Sequence, residues 1–124
     1  MEYVEENDIQ APNLQNAPDW FRRFYDSLTT REVFSMKTGD IIASTGKSRE
    51  HICRAFKQYT GTTLNVYLNE QRIEHACAML TTTYNNIIDI ALESGFENLS
   101  TFYHLFKKVK GITPAKYRKL YCFA

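Results

Sequence analysis

Apolar residues recur every three to four positions along most of this chain, and the pattern is broken at regular points by glycine or by a cap-forming Ser, Thr or Asn. Trp20, Phe21, Phe24, Tyr25 and Leu28 make one apolar face behind Asp19 and predict a first helix. A loop through 30–37 leads to Thr38, read as the cap of a short helix that stops at Gly46. Ser48 caps the next helix, which runs to about Tyr59 with Gly61 as its stop. Thr63 caps a long helix over about 64–81. The polar stretch TTYNN precedes a short helix over IIDIALES, ended by Gly95. Asn98 opens a helix to about Val109, stopped by Gly111. Thr113 caps the last, with Pro114 at its first position, where a missing N–H is harmless. The prediction is an all-α fold of seven helices without a strand. Residues 1–17 are acidic, lack steady periodicity and read as a flexible tail or the remnant of a linker.

The second half repeats the first. FKQYTGTTLNVY at 56–67 returns as FKKVKGITPAKY at 106–117, so that Phe56, Lys57, Gly61, Thr63 and Tyr67 recur as Phe106, Lys107, Gly111, Thr113 and Tyr117. Upstream, Asp40, Ile41 and Gly46 match Asp89, Ile90 and Gly95, and the caps Ser48 and Asn98 correspond. Each copy is a short helix, a tight glycine turn and a capped second helix. That is a helix-turn-helix, whose second helix enters a DNA major groove. The chain divides accordingly into a first unit over 18–62, a connecting helix over 63–81 and a second unit over 82–124.

The second helix of each unit splits into two faces by its roughly 3.6-residue period. In the first, Ile52, Ala55, Phe56 and Tyr59 predict a buried side, leaving Arg49, Glu50, Cys53, Arg54 and Lys57 outside. In the second, Phe102, Leu105, Phe106 and Val109 go inside, and Leu99, Ser100, Tyr103, His104 and Lys107 take the equivalent outer positions. Arginine pairs with guanine O6 and N7, and glutamate accepts from cytosine N4. Leu99 and Tyr103 suit thymine methyls, with Ser100 and His104 adding hydrogen bonds. The alternatives are packing on a neighbouring helix for Leu99 and Tyr103, and ordinary surface charge for Arg49 and Arg54. The long helix shows two opposed apolar stripes, Leu64, Tyr67, Leu68 and Met79 against Val66, Ile73, Cys77 and Leu80. Two stripes suit a rod gripped by a bundle at each end. Its length, roughly 26 Å, is of the order of the ~34 Å between successive major-groove faces.

Composition narrows the classes. The 124 residues are 44% hydrophobic, enough for one compact domain or two small ones. The net charge of +1 hides an asymmetry: residues 1–30 hold six acids and two arginines, whereas residues 31–124 hold 13 basic and 8 acidic side chains. From His104 to Lys119 there are six Lys or Arg and no acid, either a nucleic-acid footprint or a solvated face. No apolar run is long enough to span a membrane, and no secretory leader is evident. The odd, dispersed cysteines Cys53, Cys77 and Cys122 read as reduced thiols of a cytoplasmic protein. His51 with Cys53, and His75 with Cys77, stand two apart on a helix and point in nearly opposite directions, so neither pair can hold one metal ion. No enzyme motif is present, and no metal or cofactor is expected. A helical protein-binding module without DNA binding is the rival reading; the charged outer faces weigh against it.

The stretch RIEHACAML, followed by IIDIALESGFENLSTFYHLFKKVKGITPAKYR, closely resembles the C-terminal DNA-binding domain of the AraC/XylS family of bacterial transcription regulators. GKSREHICRAFKQYTG resembles the first helix-turn-helix of that family, and the likeness runs over residues 20–121. Its most specific part is the spacing of Gly95-Phe96, Phe102, Phe106, Gly111 and Thr113-Pro114. The resemblance implies seven helices in two homeodomain-like units joined by a connecting helix. It implies binding to double-stranded promoter DNA in consecutive major grooves, and activation through contact with RNA polymerase at the bacterial nucleoid. Matched position by position, base reading falls to Arg49, Glu50, Cys53 and Arg54 in the first unit and to Leu99, Ser100, Tyr103 and His104 in the second. Backbone contacts fall to Lys47, Lys57, Lys107 and the helix N-termini capped by Thr63 and Thr113. A small-molecule effector is expected only in a separate N-terminal domain, with the acidic leader here as the linker to it. Two departures stand out. Ile42 sits where the family commonly has alanine, as at Ala91, and the second reading face has no arginine.

Overall fold

The computed structural model describes residues 14–122. Among these the chain forms eight helices and no strand: α1 (Asp19–Ser27), α2 (Arg31–Phe34), α3 (Thr38–Ala43), α4 (Arg49–Thr60), α5 (Leu64–Thr82), α6 (Ile87–Glu93), α7 (Leu99–Lys110) and α8 (Pro114–Tyr121). The all-α class holds, with the count corrected from seven to eight. The addition is α2, a single turn inside the segment expected as loop. Four residues cannot display a helical period; burial of Phe34 in the core is what holds the turn. Thr38 is also corrected: it is the first helical residue of α3, and Lys37 occupies the cap position without a side-chain bond. The acidic leader lies outside the described residues as far as position 13. Of the rest, Leu14 packs on the first core and Ala17 is buried, and the Arg22 Nη1 donates to the Ala17 carbonyl at 2.6 Å.

The remaining expected caps form. Ser48 accepts from the His51 amide, Thr63 from Val66, Asn98 from Thr101 and Thr113 from Lys116. Each contributes about 1 kcal/mol by satisfying an otherwise orphaned donor. Gly61 and Gly111 end α4 and α7 in the left-handed conformation, with φ of 81° and 84°.

Buried side chains fall into two clusters. Phe21, Phe24, Leu28, Phe34, Ile41, Ile42, Ile52 and Phe56 dominate the first; Ile73, Leu80, Ile90, Phe96, Phe102 and Phe106 dominate the second. The repeat reappears as geometry: Phe56 lies 5.6 Å from the Tyr67 ring, and Phe106 lies 5.4 Å from Tyr117. α5 serves both clusters, giving Leu64, Leu68 and Tyr67 to the first and Ile73, Ala76, Cys77 and Leu80 to the second. The two stripes therefore occupy different lengths of the rod, and two assignments change. Met79 packs on the second cluster, and Val66 is 47% exposed. Val109, expected inside, is 52% exposed. Val66 and Val109 line an open apolar groove of about 210 Å³ between α5 and α7, with Ile73 and Leu105 at its floor.

Candidate nucleic-acid interface

α3 and α4 form one helix-turn-helix, and α6 and α7 the other. Both second helices have 12 residues, start on a capped residue and stop on a left-handed glycine, so equivalent side chains project alike from each. On α4, Arg49, Glu50, Cys53, Arg54 and Lys57 are all exposed, and none makes a hydrogen bond or ion pair with another described residue. On α7, Ser100, Tyr103, His104 and Lys107 are exposed. Tyr103 is 41% exposed, its ring set edge-on to Phe102 at 5.5 Å. Leu99 is half-buried and packs on the second core, so the packing alternative accounts for part of its surface.

Packing and capping explain four of the five residue types that the repeat keeps: the buried Phe56 and Phe106, their ring partners Tyr67 and Tyr117, the stopping glycines and the capping threonines. The fifth is different. Lys57 and Lys107 are exposed in both copies and have no partner among the described residues.

The basic run 104–119 divides by environment. Lys110 pairs with Glu74 at 2.9 Å, and that hydrogen bond raises its pKa. Arg118 donates from Nε to the Leu80 carbonyl at 3.0 Å and from Nη2 to the Thr83 carbonyl at 3.2 Å, closing the end of α5. These two charges are spent within the fold. Lys107 and Lys108 instead border an open cleft of about 400 Å³ between α7 and the start of α8, together with Tyr103, His104 and Thr113. Lys108 is a residue that motif matching did not single out. The charge run contained it, but which lysines of the run are free depends on tertiary contacts.

Lys47 is half-buried, with Nζ 4.6 Å from the centre of the Trp20 ring. The ring face attracts the ammonium and holds it beside the start of α4. Thr63 and Thr113 use their side chains as caps. The amides of Leu64, Asn65 and Ala115 in the same first turns remain available to an anion, and the helix dipole favours one there.

Among the described residues no three His, Cys, Asp or Glu converge as a metal site. Burial pushes the Cys77 thiol up, away from the thiolate a nucleophile needs. His51 leans on Trp20, with ring centres 5.4 Å apart. Among the described residues no helix is long and apolar enough to cross a membrane.

A family model described as a helix-turn-helix domain matches residues 41–120. The chain is 38% identical over 84 residues to a probable transcription factor PqrA of Proteus vulgaris, a match covering 68% of this chain and 69% of that protein. It is 36% identical over 80 residues to the right origin-binding protein of Escherichia coli strain K12, covering 64% of this chain but only 28% of that longer protein. Among solved structures, the C-terminal domain of AraT, a response regulator from Geobacillus stearothermophilus, superimposes with a TM-score of 0.76 at 24% identity, over 89% of this chain and 92% of that one. The DNA-binding domain of AdpA, solved in complex with a target DNA, superimposes with a TM-score of 0.69 at 23% identity, over 85% of this chain and 94% of that one. The structural matches speak for the fold, and the family model over residues 41–120 and the sequence matches for the descent: this chain belongs to the AraC/XylS family of helix-turn-helix transcription regulators.

Proposed function

We propose that α4 and α7 read base edges in two successive major grooves of one DNA duplex. The observation that carries this reading is the pair Lys57 and Lys107. The repeat keeps a lysine at a position where neither core nor cap uses the side chain, and each lies on the same helix as an exposed polar face. A phosphate on either side of a groove is the partner that such a charge fits. Arg49, Glu50 and Arg54 supply the hydrogen-bonding set for the first groove, with Cys53 between them. Ser100, Tyr103 and His104 supply the second, with Leu99 presenting its exposed part. Lys47, steadied by Trp20, and the first turns of α5 and α8 add backbone contacts. α5, at 19 residues, is about 28 Å long and spaces the two units at the scale of one helical turn of DNA.

Such a protein acts where the bacterial chromosome lies, in the cytoplasm. As an activator it would also touch RNA polymerase. Ile88 and Leu92, four residues apart on α6, are exposed and offer an apolar patch for that contact. Leu92→Ser should lower transcription in a purified system without weakening operator binding.

Selection of bound duplexes from a random pool tests the main reading. The expected site has two half-sites about 10 base pairs apart, centre to centre. Arg54→Ala should lose about 1–3 kcal/mol and relax the preference at one base pair. A footprint confined to one groove, or no duplex retained at low salt, refutes the reading.

A further inference from the structure

The two units meet at one buried arginine and one glycine. Arg72, in the middle of α5, is 5% exposed. Its Nε donates to the Phe34 carbonyl at 2.7 Å and its Nη2 to the Met36 carbonyl at 2.9 Å; Nη1 donates to Asn69 Oδ1 at 3.3 Å. These bonds tie the α2–α3 connection of the first unit to the rod. Gly95, the turn glycine of the second unit, closes on the same spot. A Cβ there would stand 2.8 Å from the Phe34 carbonyl oxygen, 2.9 Å from Arg72 Nε and 2.9 Å from the Ser35 Cα. Its φ of 108° adds a backbone reason for glycine.

The repeat supplies an internal comparison. Gly46 holds the same place in the first turn and has a positive φ of its own, yet a Cβ there would meet nothing within 4 Å. Turn geometry alone therefore does not demand the close fit at Gly95. The fit exists because the second unit's turn rests on the first unit's backbone. Phe34 of the first core also meets His75 of α5 at 5.6 Å between ring centres.

A connecting helix by itself fixes a separation but leaves the angle between the two units to the bending and twisting of one helix. The second unit packs on α5 through Ile73, Ala76, Cys77 and Leu80 and through Arg118, and the first through Leu64, Leu68 and Tyr67, so each is held to its own length of the rod and the relation between them rests on the rod's stiffness. Direct contacts between the units, away from the rod axis, add a second constraint. The Arg72 fork is suited to this, because two carbonyls held by one planar group cannot shift independently. Losing it would also strand those carbonyls without donors.

We infer that Arg72 and Gly95 are positioning residues that lock α4 and α7 into one rigid frame, so that the chain accepts half-sites at a single spacing and phase. The functional half of this inference rests on the two-groove reading; the geometric half does not.

The test uses the full chain with Cys122→Ser and Ser100→Cys, spin-labelled at position 100 and at the native, exposed Cys53; Cys77 is buried and stays unlabelled. Pulsed electron resonance then reads the distance between the two recognition helices in the free protein. A single narrow distribution is expected, broadened by Gly95→Ala and by Arg72→Gln while the helical circular dichroism is retained. If Arg72→Gln loses that signal, Arg72→Lys, which keeps the charge without the fork, replaces it. A broad distribution in the parent, or one that stays narrow in the folded variants, overturns the lock.

Unlabelled proteins are then titrated with duplexes whose half-sites are moved apart by about half a helical turn. The parent should lose on the order of 10²-fold in affinity as the second unit disengages, and Gly95→Ala less than about tenfold of its own best affinity. Equal losses in both refute the functional half. Failure to bind any duplex counts against the two-groove reading, while the distance measurement still decides the lock.

Discussion

Three lysines of similar sequence context should behave differently on DNA. Lys57 and Lys107 are exposed, unpaired among the described residues and equivalent in the repeat; Lys110 is tied to Glu74. A phosphate contact releases condensed counterions, and each one contributes about 0.9 to the slope of log affinity against log salt. Taken from 1 M down to physiological salt, a slope of that size is about 0.7 log units, or about 1 kcal/mol per lysine. Lys107→Ala should therefore weaken binding about fivefold at physiological salt and flatten the slope by about 0.9. Lys57 lies in the other unit, so the effects should add and the double variant should flatten the slope by about 1.8. The loss should be the same on every duplex, because phosphates carry no sequence. Lys110→Ala is the control. Its charge is already neutralised by Glu74, and removing it should change the slope far less.

The assay is fluorescence anisotropy with a selected duplex and a scrambled one, over about 50–300 mM salt, the range in which the electrostatic part of affinity changes most readily. An unchanged slope in Lys107→Ala shows that this lysine is an ordinary surface charge. Equal flattening by Lys107→Ala and Lys110→Ala shows that only overall charge matters. Either result removes the observation on which the two-groove reading stands.

Three further outcomes concern the scaffold. Phe56→Ala and Phe106→Ala each empty a fully buried site and should lose about 3–5 kcal/mol in urea unfolding; an unchanged midpoint in either would place that ring outside its core. Asn98→Ala removes the cap of α7 and should lose about 1 kcal/mol, whereas Asn98→Gly should lose only a few tenths. His75 has Nε2 buried without a partner among the described residues, and its pKa is lowered by burial first and by Arg31 second, with Glu93 opposing. A depressed folded pKa means that the unfolded chain takes up the proton first as pH falls. Stability should therefore be full above the ordinary imidazole value of 6.5 and should drain as pH falls from there towards the depressed folded value. His75→Gln should remove that part of the pH dependence of unfolding; an identical pH profile in parent and variant would show that His75 does not carry it.

What was legible in the sequence was what is local. Ser48, Thr63, Asn98 and Thr113 each bond an amide three residues on, and Gly61 and Gly111 each end a helix, so short windows carry the full signal. The single turn α2 was not legible, because it depends on Phe34 reaching a core built from distant residues and on Arg72 binding its last carbonyl. Periodicity placed Val66 and Val109 on apolar faces but could not say how far each core extends along them. The basic run could be counted but not divided: only the fold shows that Lys110 and Arg118 are spent on Glu74 and on the end of α5. The same limit hid Gly95 as a contact between units, since in sequence it is one more turn glycine.

The repeat also separates what folds the chain from what it reads. A phenylalanine, a tyrosine, a glycine and a threonine are kept in both copies, each used by core, stop or cap in the same way. The four outer positions assigned to base edges differ in every pair: Arg49 against Leu99, Glu50 against Ser100, Cys53 against Tyr103, Arg54 against His104. Two alike faces would bind a direct repeat and could dock in either of two registers. Under the proposed reading, faces this different should select unlike half-sites, the first suited to guanine through its arginines and the second to thymine methyls through Tyr103 and the exposed part of Leu99. One chain then has one orientation on its site. With the proposed lock through Arg72 and Gly95, that orientation would also fix where α6 and its exposed Ile88 and Leu92 point relative to the promoter. A selected site whose two halves are interchangeable, with binding unchanged when they are swapped, would break this chain of reasoning at its first link.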